Sequence, residues 1–138
     1  MNEKKQKGFT LIELLVVLTI LAMLAALVVP RVFRSLDKAK VNTARAQISA
    51  LESALGAYRL DVGSFPSTDQ GLQALRTQPG GVENWDGPYI PKDIPMDPWG
   101  HPYVYRCPSE HGDYEIISYG ADGREGGEGF NQDIVSWK

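Results

Sequence analysis

The sequence predicts an α+β protein in which one long N-terminal helix precedes a small antiparallel sheet. Three observations carry this prediction. An almost wholly apolar run covers residues 9–29, a helical repeat of apolar residues follows it, and short β-branched and aromatic segments lie in the C-terminal half. That half, residues 60–138, holds twelve of the 14 Gly and eight of the nine Pro. A chain of 138 residues therefore fits one domain, or a smaller domain with an appendage.

Composition excludes several classes of protein. The 43% hydrophobic and 22% charged fractions exclude a wholly disordered chain, and the single Cys excludes a disulfide scaffold. The net charge of −3 gives no reason to expect a nucleic-acid partner. The charge is uneven, however, with +2 in residues 1–8 and −8 in residues 60–138. We therefore divide the chain into a leader (1–8), a membrane helix (9–29), an extended amphipathic helix (30–60) and a small α+β domain (61–138).

The apolar run is long enough to cross a membrane. Its 21 residues correspond to about 31 Å of helix, close to the thickness of a bilayer core. A secretory signal peptide is the alternative, although no clean small-x-small cleavage site follows the run. Glu13 is the only charge within it and costs at least ~2.5 kcal/mol there, so it either has a partner or lies near the lipid headgroups.

The segment Lys7–Leu14, with sequence KGFTLIEL, resembles the processing motif of type IV pilins and of the pseudopilins of type II secretion. The resemblance implies that a prepilin peptidase cleaves between Gly8 and Phe9 and N-methylates the new Phe9 amine. It also implies that Glu13 neutralises the Phe9 amine of a neighbouring subunit during assembly. The leader would face the cytoplasm and the C-terminal domain the periplasm of a Gram-negative bacterium.

Beyond the apolar run, Pro30 is expected to kink or locally break the helix, because it lacks an N–H and crowds the preceding turn. Apolar residues then recur at steps of three and four, which predicts one buried helical stripe that anchors the C-terminal domain. The stripe comprises Ala44, Ile48, Leu51, Leu55 and Tyr58.

Between Pro30 and this stripe the chain is basic. Arg31, Arg34, Lys38 and Lys40 are opposed only by Asp37. Two interpretations stay open for these residues: a solvated helix face, or a basic collar that meets acidic neighbours in a polymer.

The sequence of the small domain predicts turns followed by strands. We expect the long helix to end near Leu60 and a short helix to run from about Asp69 to Arg76, capped by Ser67 or Thr68. Residues 79–102 form a turn-rich stretch. Residues 103–105 and 114–118 predict a hairpin, with a weaker third strand at residues 135–137.

The acidic loop at residues 120–133 is a candidate cation site. Four acids face only Arg124, so the loop repels anions, and its glycines allow backbone carbonyls to turn inward. The spacing is not that of an EF-hand. From these residues alone, a Ca²⁺ site and a solvated acidic turn both remain open.

The rest of the chain extends the resemblance to the major pseudopilins of type II secretion. The matching segments are residues 58–66, 70–75, 97–103 and 118–123. The resemblance implies a Ca²⁺ site with carboxylate ligands from Asp122 and Asp133, completed by backbone carbonyls. Further donors would come from among Tyr119, Arg124, Glu125 and Asn131.

The resemblance also implies a pilin-like fold and a structural subunit of the pseudopilus, the filament that drives export of folded proteins across the outer membrane. Expected partners are further copies of the chain, prepilin peptidase, minor pseudopilins and the inner-membrane assembly platform. A type IV pilin or a DNA-uptake pseudopilin is an alternative, although such pilins commonly carry a disulfide that Cys107 alone cannot form. A soluble secreted calcium-binding module is the alternative from another class.

We expect no enzyme. His101 and His111 lie in turn contexts without a second ligand at metal spacing. Asp93 and Asp97 beside Trp99 allow a carboxylate pair of the glycosidase kind, but the surrounding prolines favour turn and packing roles.

Overall fold

A computed structural model of the chain describes residues 7–138. The chain divides into two compact units, the first running through Leu36 and the second from Asp37 to Lys138. Helix α1 (Leu11–Val62) contributes residues to both units. The helix continues through Pro30, so the prediction of a local break there is wrong. Proline removes one intrahelical hydrogen bond, whereas propagation of the helix on both sides of it adds one bond per residue.

The first unit exposes an apolar helix surface. Every large apolar side chain between Phe9 and Val29 is at least 45% exposed. Among residues 7–138, α1 is the one helix long and apolar enough to cross a membrane. The hydroxyl of Thr19, the polar residue within Leu14–Val29, donates to the Leu15 carbonyl at 2.8 Å, which satisfies it without water.

The second unit is built on the predicted helical stripe. All five of its residues are buried, from Ala44 at 0% exposure to Ile48 at 3%, and Ala54 joins them. The helix ends at Val62 because Gly63 adopts a positive φ of 93° and donates its N–H to the Arg59 carbonyl at 2.7 Å.

The sheet is antiparallel and has three strands, as predicted, although its third strand begins at Ile134 rather than at residue 135. Strand β1 (Val104–Arg106) pairs with β2 (Glu115–Ser118), and β2 pairs with β3 (Ile134–Val135). Tyr105, Ile116 and Ile134 are buried in the same core as the helical stripe. The helix therefore supplies the apolar surface that this short sheet needs.

The helix predicted at residues 69–76 is wrong: a turn and a short 3₁₀ helix take its place. The chain makes a turn in which the Ser67 hydroxyl accepts from Gln70 N–H, and the Gln70 side chain accepts from Ser67 N–H. Gly71 then adopts a φ of 63°, and a 3₁₀ helix spans Leu72–Leu75. The Thr68 hydroxyl caps no helix and bonds to Cys107 of the sheet region instead.

Leu55→Ala is expected to lower the free energy of unfolding of the second unit by about 2–5 kcal/mol, because it opens a cavity in the core. All three Trp of the chain lie within residues 85–137. Urea unfolding of the full chain in detergent, followed by tryptophan fluorescence, therefore reports on this unit. Leu60→Ala on the same helix is the matched control, since Leu60 is 87% exposed. Equal losses for both variants would contradict the assigned core.

Candidate functional site

The N-terminal site begins where α1 begins. Residues 7–10 lie outside the helix, and the Thr10 hydroxyl accepts a hydrogen bond from the Glu13 N–H at 3.2 Å. This cap fixes the start of the helix at Leu11, two residues after Phe9. The pattern Thr-x-x-Glu at residues 10–13 is the signature of a capping box, so this feature was readable from the sequence although it entered none of the predictions above.

Glu13 is an exposed carboxylate in the first turn of α1. Its apolar neighbours Phe9 and Ile12 are 85% and 70% exposed. The positive end of the helix dipole favours an acid at this position. Within residues 7–138, no salt bridge reaches its carboxylate. The charge is thus held at a defined place in the helix and is accessible to a partner outside the chain.

The predicted cleavage site is accessible in the part of the chain that the structure describes. Gly8 and Phe9 are exposed and non-helical, and a side chain at Gly8 would meet nothing within 4 Å. The rest of the predicted leader, residues 1–6, lies outside the described residues.

The acidic loop is organised by two short 3₁₀ turns that contact each other, Gly120–Asp122 and Gly129–Asn131. Close backbone approaches explain two of its glycines. A Cβ at Gly120 would lie 2.9 Å from the carbonyl oxygens of residues 130 and 132, and one at Gly127 would lie 2.6 Å from that of Asn131. Both glycines have positive φ, 73° and 101° respectively. Backbone carbonyls therefore concentrate within this loop.

The two predicted carboxylate ligands take part in the loop's hydrogen bonding. Asp122 Oδ1 accepts from the Arg124 N–H at 3.1 Å, and Asp133 Oδ2 accepts from the Gly126 N–H at 3.0 Å. The second oxygen of Asp133, Oδ1, is buried without a hydrogen-bond partner. A buried carboxylate oxygen without a donor is costly, and a cation would satisfy it. The donor set of carboxylates and carbonyls fits a hard cation such as Ca²⁺.

The other predicted donors are less well placed. The Tyr119 hydroxyl accepts from Arg106 Nη2 at 3.4 Å, which leaves its backbone carbonyl as the ligand it could offer. Arg124, Glu125 and Asn131 are exposed, as is Asp122, whereas Asp133 is half-buried. Among residues 7–138, no three His, Cys, Asp or Glu side chains gather as metal ligands. A cation in this loop therefore depends on backbone carbonyls beside Asp122 and Asp133.

A cleft of about 450 Å³ separates this loop from the β1–β2 turn. Its lining includes Tyr119, Glu125 and Asp133 from the loop side, and Glu115 from β2. Glu115 is 5% exposed. Burial of this acid could not be predicted from the sequence, because its partners come from a neighbouring strand and from a turn.

Glu115 is fully paired. Its Oε1 accepts from Arg106 Nη1 at 3.0 Å, and its Oε2 accepts from Ser109 Oγ at 2.8 Å. His111 Nδ1 lies 3.1 Å from Oε2 and must carry the proton, because an ionised carboxylate only accepts. The His111 ring stacks on Trp137 at 3.8 Å. Burial raises the pKa of Glu115, but the hydrogen bonds from Ser109, His111 and Arg106 outweigh it and lower the pKa below 4.5.

Asp97 and His101 are structural, as the prolines around them indicate. Asp97 Oδ1 accepts from the N–H groups of Trp99 and His101, at 3.1 and 2.8 Å, and Oδ2 accepts from the Ser118 hydroxyl at 2.7 Å. Asp93 is exposed and lies 3.7 Å from Arg76 Nε. Asp97 thus fixes the turn around Trp99, whereas Asp93 faces Arg76. The His101 ring packs against Gly123, where an added Cβ would lie 3.0 Å from the ring.

Glu115→Gln is expected to lower the free energy of unfolding by about 1–3 kcal/mol near neutral pH, because charge-assisted hydrogen bonds are weakened. Since the folded pKa of Glu115 lies below 4.5, its contribution is present above about pH 4.5 and is lost as the pH falls through the folded pKa. Urea unfolding between about pH 3 and pH 7 should show the two proteins converging in acid. Glu110→Gln, at an exposed position of the same cleft, is the control, and parallel curves for all three proteins would contradict the assignment.

Two family models match the chain. Residues 31–137 match the model described as type II secretion system (T2SS), protein G, and residues 4–29 match the prokaryotic N-terminal methylation motif. Type II secretion system core protein G of Pseudomonas aeruginosa is 47% identical, and the alignment covers 99% of each chain. The Vibrio cholerae protein of the same name is also 47% identical, over 97% of this chain and 93% of its own.

A solved structure agrees. The major pseudopilin from the type 2 secretion system of enterohaemorrhagic Escherichia coli superposes with a TM-score of 0.65 at 37% identity, covering 75% of this chain and 90% of that one. The resemblance seen in the sequence is thereby confirmed. The chain belongs to the type II secretion system protein G family and is a pseudopilin with an N-terminal methylation motif.

Proposed function

We propose that the chain is inserted in the inner membrane by residues 9–29, with its C-terminal unit in the periplasm. Prepilin peptidase cleaves between Gly8 and Phe9 and methylates the Phe9 amine. The mature chain then polymerises with further copies, minor pseudopilins and the assembly platform into the filament that drives folded proteins across the outer membrane. The role is structural rather than enzymatic.

The observation that carries this proposal is the position of Glu13. An ionised carboxylate exposed among apolar side chains is stable in a membrane or a filament core only when it meets a cation. Cleavage after Gly8 creates such a cation, the Phe9 amine, four residues away along the chain. Between copies, the pair would form at one axial offset and would therefore set the register of the filament.

Exposure of residues 8 and 9 supports the processing step. A peptidase needs an extended substrate backbone, and the Thr10 cap makes the helix begin only after the scissile bond. The cap also keeps Glu13 in the first helical turn once the leader is removed. Processing and assembly are thus served by neighbouring residues with separate roles.

We further propose that the acidic loop binds Ca²⁺ through the Asp122 and Asp133 carboxylates and backbone carbonyls of residues 119–133. When bound, the ion supplies positive charge that no side chain of the loop except Arg124 provides. Asp133 directly precedes β3, so its ligation would hold the entrance to that strand. The buried, unpaired Asp133 Oδ1 supports this assignment.

Glu13→Ala is expected to leave cleavage intact and to abolish filament assembly, because the Phe9 amine loses its counter-charge. Mass spectrometry of the chain isolated from envelopes should show a methylated N-terminal Phe9. Cross-linking between copies and electron microscopy of sheared filaments measure assembly. Asp37→Asn, which removes the next acid along the helix, is the control and should assemble. A mature chain that starts beyond Ala25, or normal filaments from Glu13→Ala, would refute the proposal.

Calcium at about 100 times its dissociation constant is expected to stabilise the second unit by about 2.7 kcal/mol. Thermal unfolding of the full chain in detergent, with Ca²⁺ or with a chelator, measures this. Asp122→Asn with Asp133→Asn should abolish the difference, whereas Glu128→Gln, which also removes one loop acid, should retain it. An unfolding temperature that a chelator leaves unchanged in the wild type would rule out a structural Ca²⁺ site.

A further inference from the structure

Two basic residues, Arg31 and Arg34, closely follow the apolar run. Arg31 and Arg34 lie in the first unit and flank Val32 and Phe33, which are 50% and 62% exposed. Among residues 7–138, no salt bridge includes either guanidinium. Neither the processing motif nor the Glu13 pair uses these residues, so their charge is unexplained by the function proposed above.

Their distance along the helix places them at a bilayer surface. At 1.5 Å per residue, Arg31 lies about 3 Å and Arg34 about 7.5 Å beyond Val29, the last residue of the apolar run. The polar layer on each side of a bilayer is about 5–7 Å thick. Both guanidinium groups therefore reach lipid phosphates, while Val32 and Phe33 lie against the acyl boundary.

In the proposed orientation, Arg31 and Arg34 place positive charge on the periplasmic side of the membrane, which is unusual. Lys and Arg normally concentrate on the cytoplasmic side of a membrane helix. In the orientation proposed above, the basic leader is on that side and is removed, whereas Arg31 and Arg34 are on the other side. An anion at the periplasmic surface would stabilise positive charge that is placed against this bias.

Lipid phosphate fits better than the acidic surface of another copy. Asp37 is the only carboxylate between Glu13 and Glu52, and Lys38 and Lys40 compete for it. Within residues 7–36 of a neighbouring copy Glu13 is the only acid, so a copy at the same depth offers these arginines few carboxylates from its own membrane segment. Phosphate groups are abundant at that depth, and guanidinium binds them through two parallel hydrogen bonds.

We propose that Arg31 and Arg34 bind the headgroup phosphates of anionic phospholipids in the periplasmic leaflet and hold the membrane-inserted subunit at a fixed depth. This inference rests on the membrane anchorage proposed above. A subunit that enters the filament must leave these lipids, so the two arginines oppose extraction from the bilayer.

The test uses the mature full chain in nanodiscs that contain trace spin-labelled phosphatidylglycerol or phosphatidylcholine. Electron paramagnetic resonance measures which lipid is retained beside the protein. Each arginine is expected to contribute about fivefold preference for the anionic lipid at low salt. The double variant Arg31→Gln/Arg34→Gln should reduce the preference more than tenfold, and about 0.5 M salt should weaken it in the wild type.

Lys40→Gln/Arg45→Gln is the matched control, because it removes the same charge from the same helix about 16–24 Å beyond Val29. This control should keep most of the preference. Equal losses in both double variants, or an inserted wild type without preference, would overturn the inference and leave the anchorage intact. A second outcome would also overturn the inference: an unchanged lipid preference in the Arg31→Gln/Arg34→Gln variant, together with reduced cross-linking between copies. That result would assign the arginines to a subunit contact. A chain that fails to enter the bilayer would overturn the anchorage and the inference together.

Discussion

Burial of one face of α1, from Ala44 to Tyr58, is the interaction on which the second unit depends. The three strands are two to four residues long and present few apolar side chains of their own. A sheet this small is not stable in water without a second apolar layer. The helix supplies that layer, and Leu55 and Tyr58 are among the largest fully buried side chains of the molecule. A single helix therefore contains an apolar segment long enough to cross a membrane and also supplies a large part of the folded core.

Two buried acids, Asp97 and Glu115, hold turns of the C-terminal segment in place through several hydrogen bonds each. Asp97 accepts three hydrogen bonds and joins the turn around Trp99 to Ser118 of β2. Glu115 joins β1 to the following turn through Arg106 and Ser109. In a Gly- and Pro-rich segment, many backbone groups lack ladder partners, so side chains that accept several bonds fix the turns. These two acids explain how a mostly irregular chain keeps one conformation.

The sequence predicted the parts of the fold that rest on periodicity and local chemistry. The helical stripe and the three strands follow from apolar spacing, and the end of α1 follows from Gly63. The expected helix near residue 70 failed because Gly71 interrupts it, leaving a turn and four residues of 3₁₀ helix. Glu115 could not be predicted, since its burial depends on pairing between β1 and β2. The processing motif could be recognised in the sequence because all of its residues lie in one continuous segment, Lys7–Leu14.

The cation loop and the cleft meet at Asp133, and this indicates which part of the second unit an ion there would stabilise. Asp133 lines the cleft together with Glu115 and precedes β3, an edge strand held by two register pairs, Ile117–Val135 and Ser118–Ile134. So short a strand has little stability of its own. A cation bound to Asp133 would fix the residue that positions Ile134 in the core, and Ser118 opposite it is bonded to Asp97. Loss of the ion is therefore expected to loosen β3 first, while the helical stripe and the β1–β2 pair stay folded.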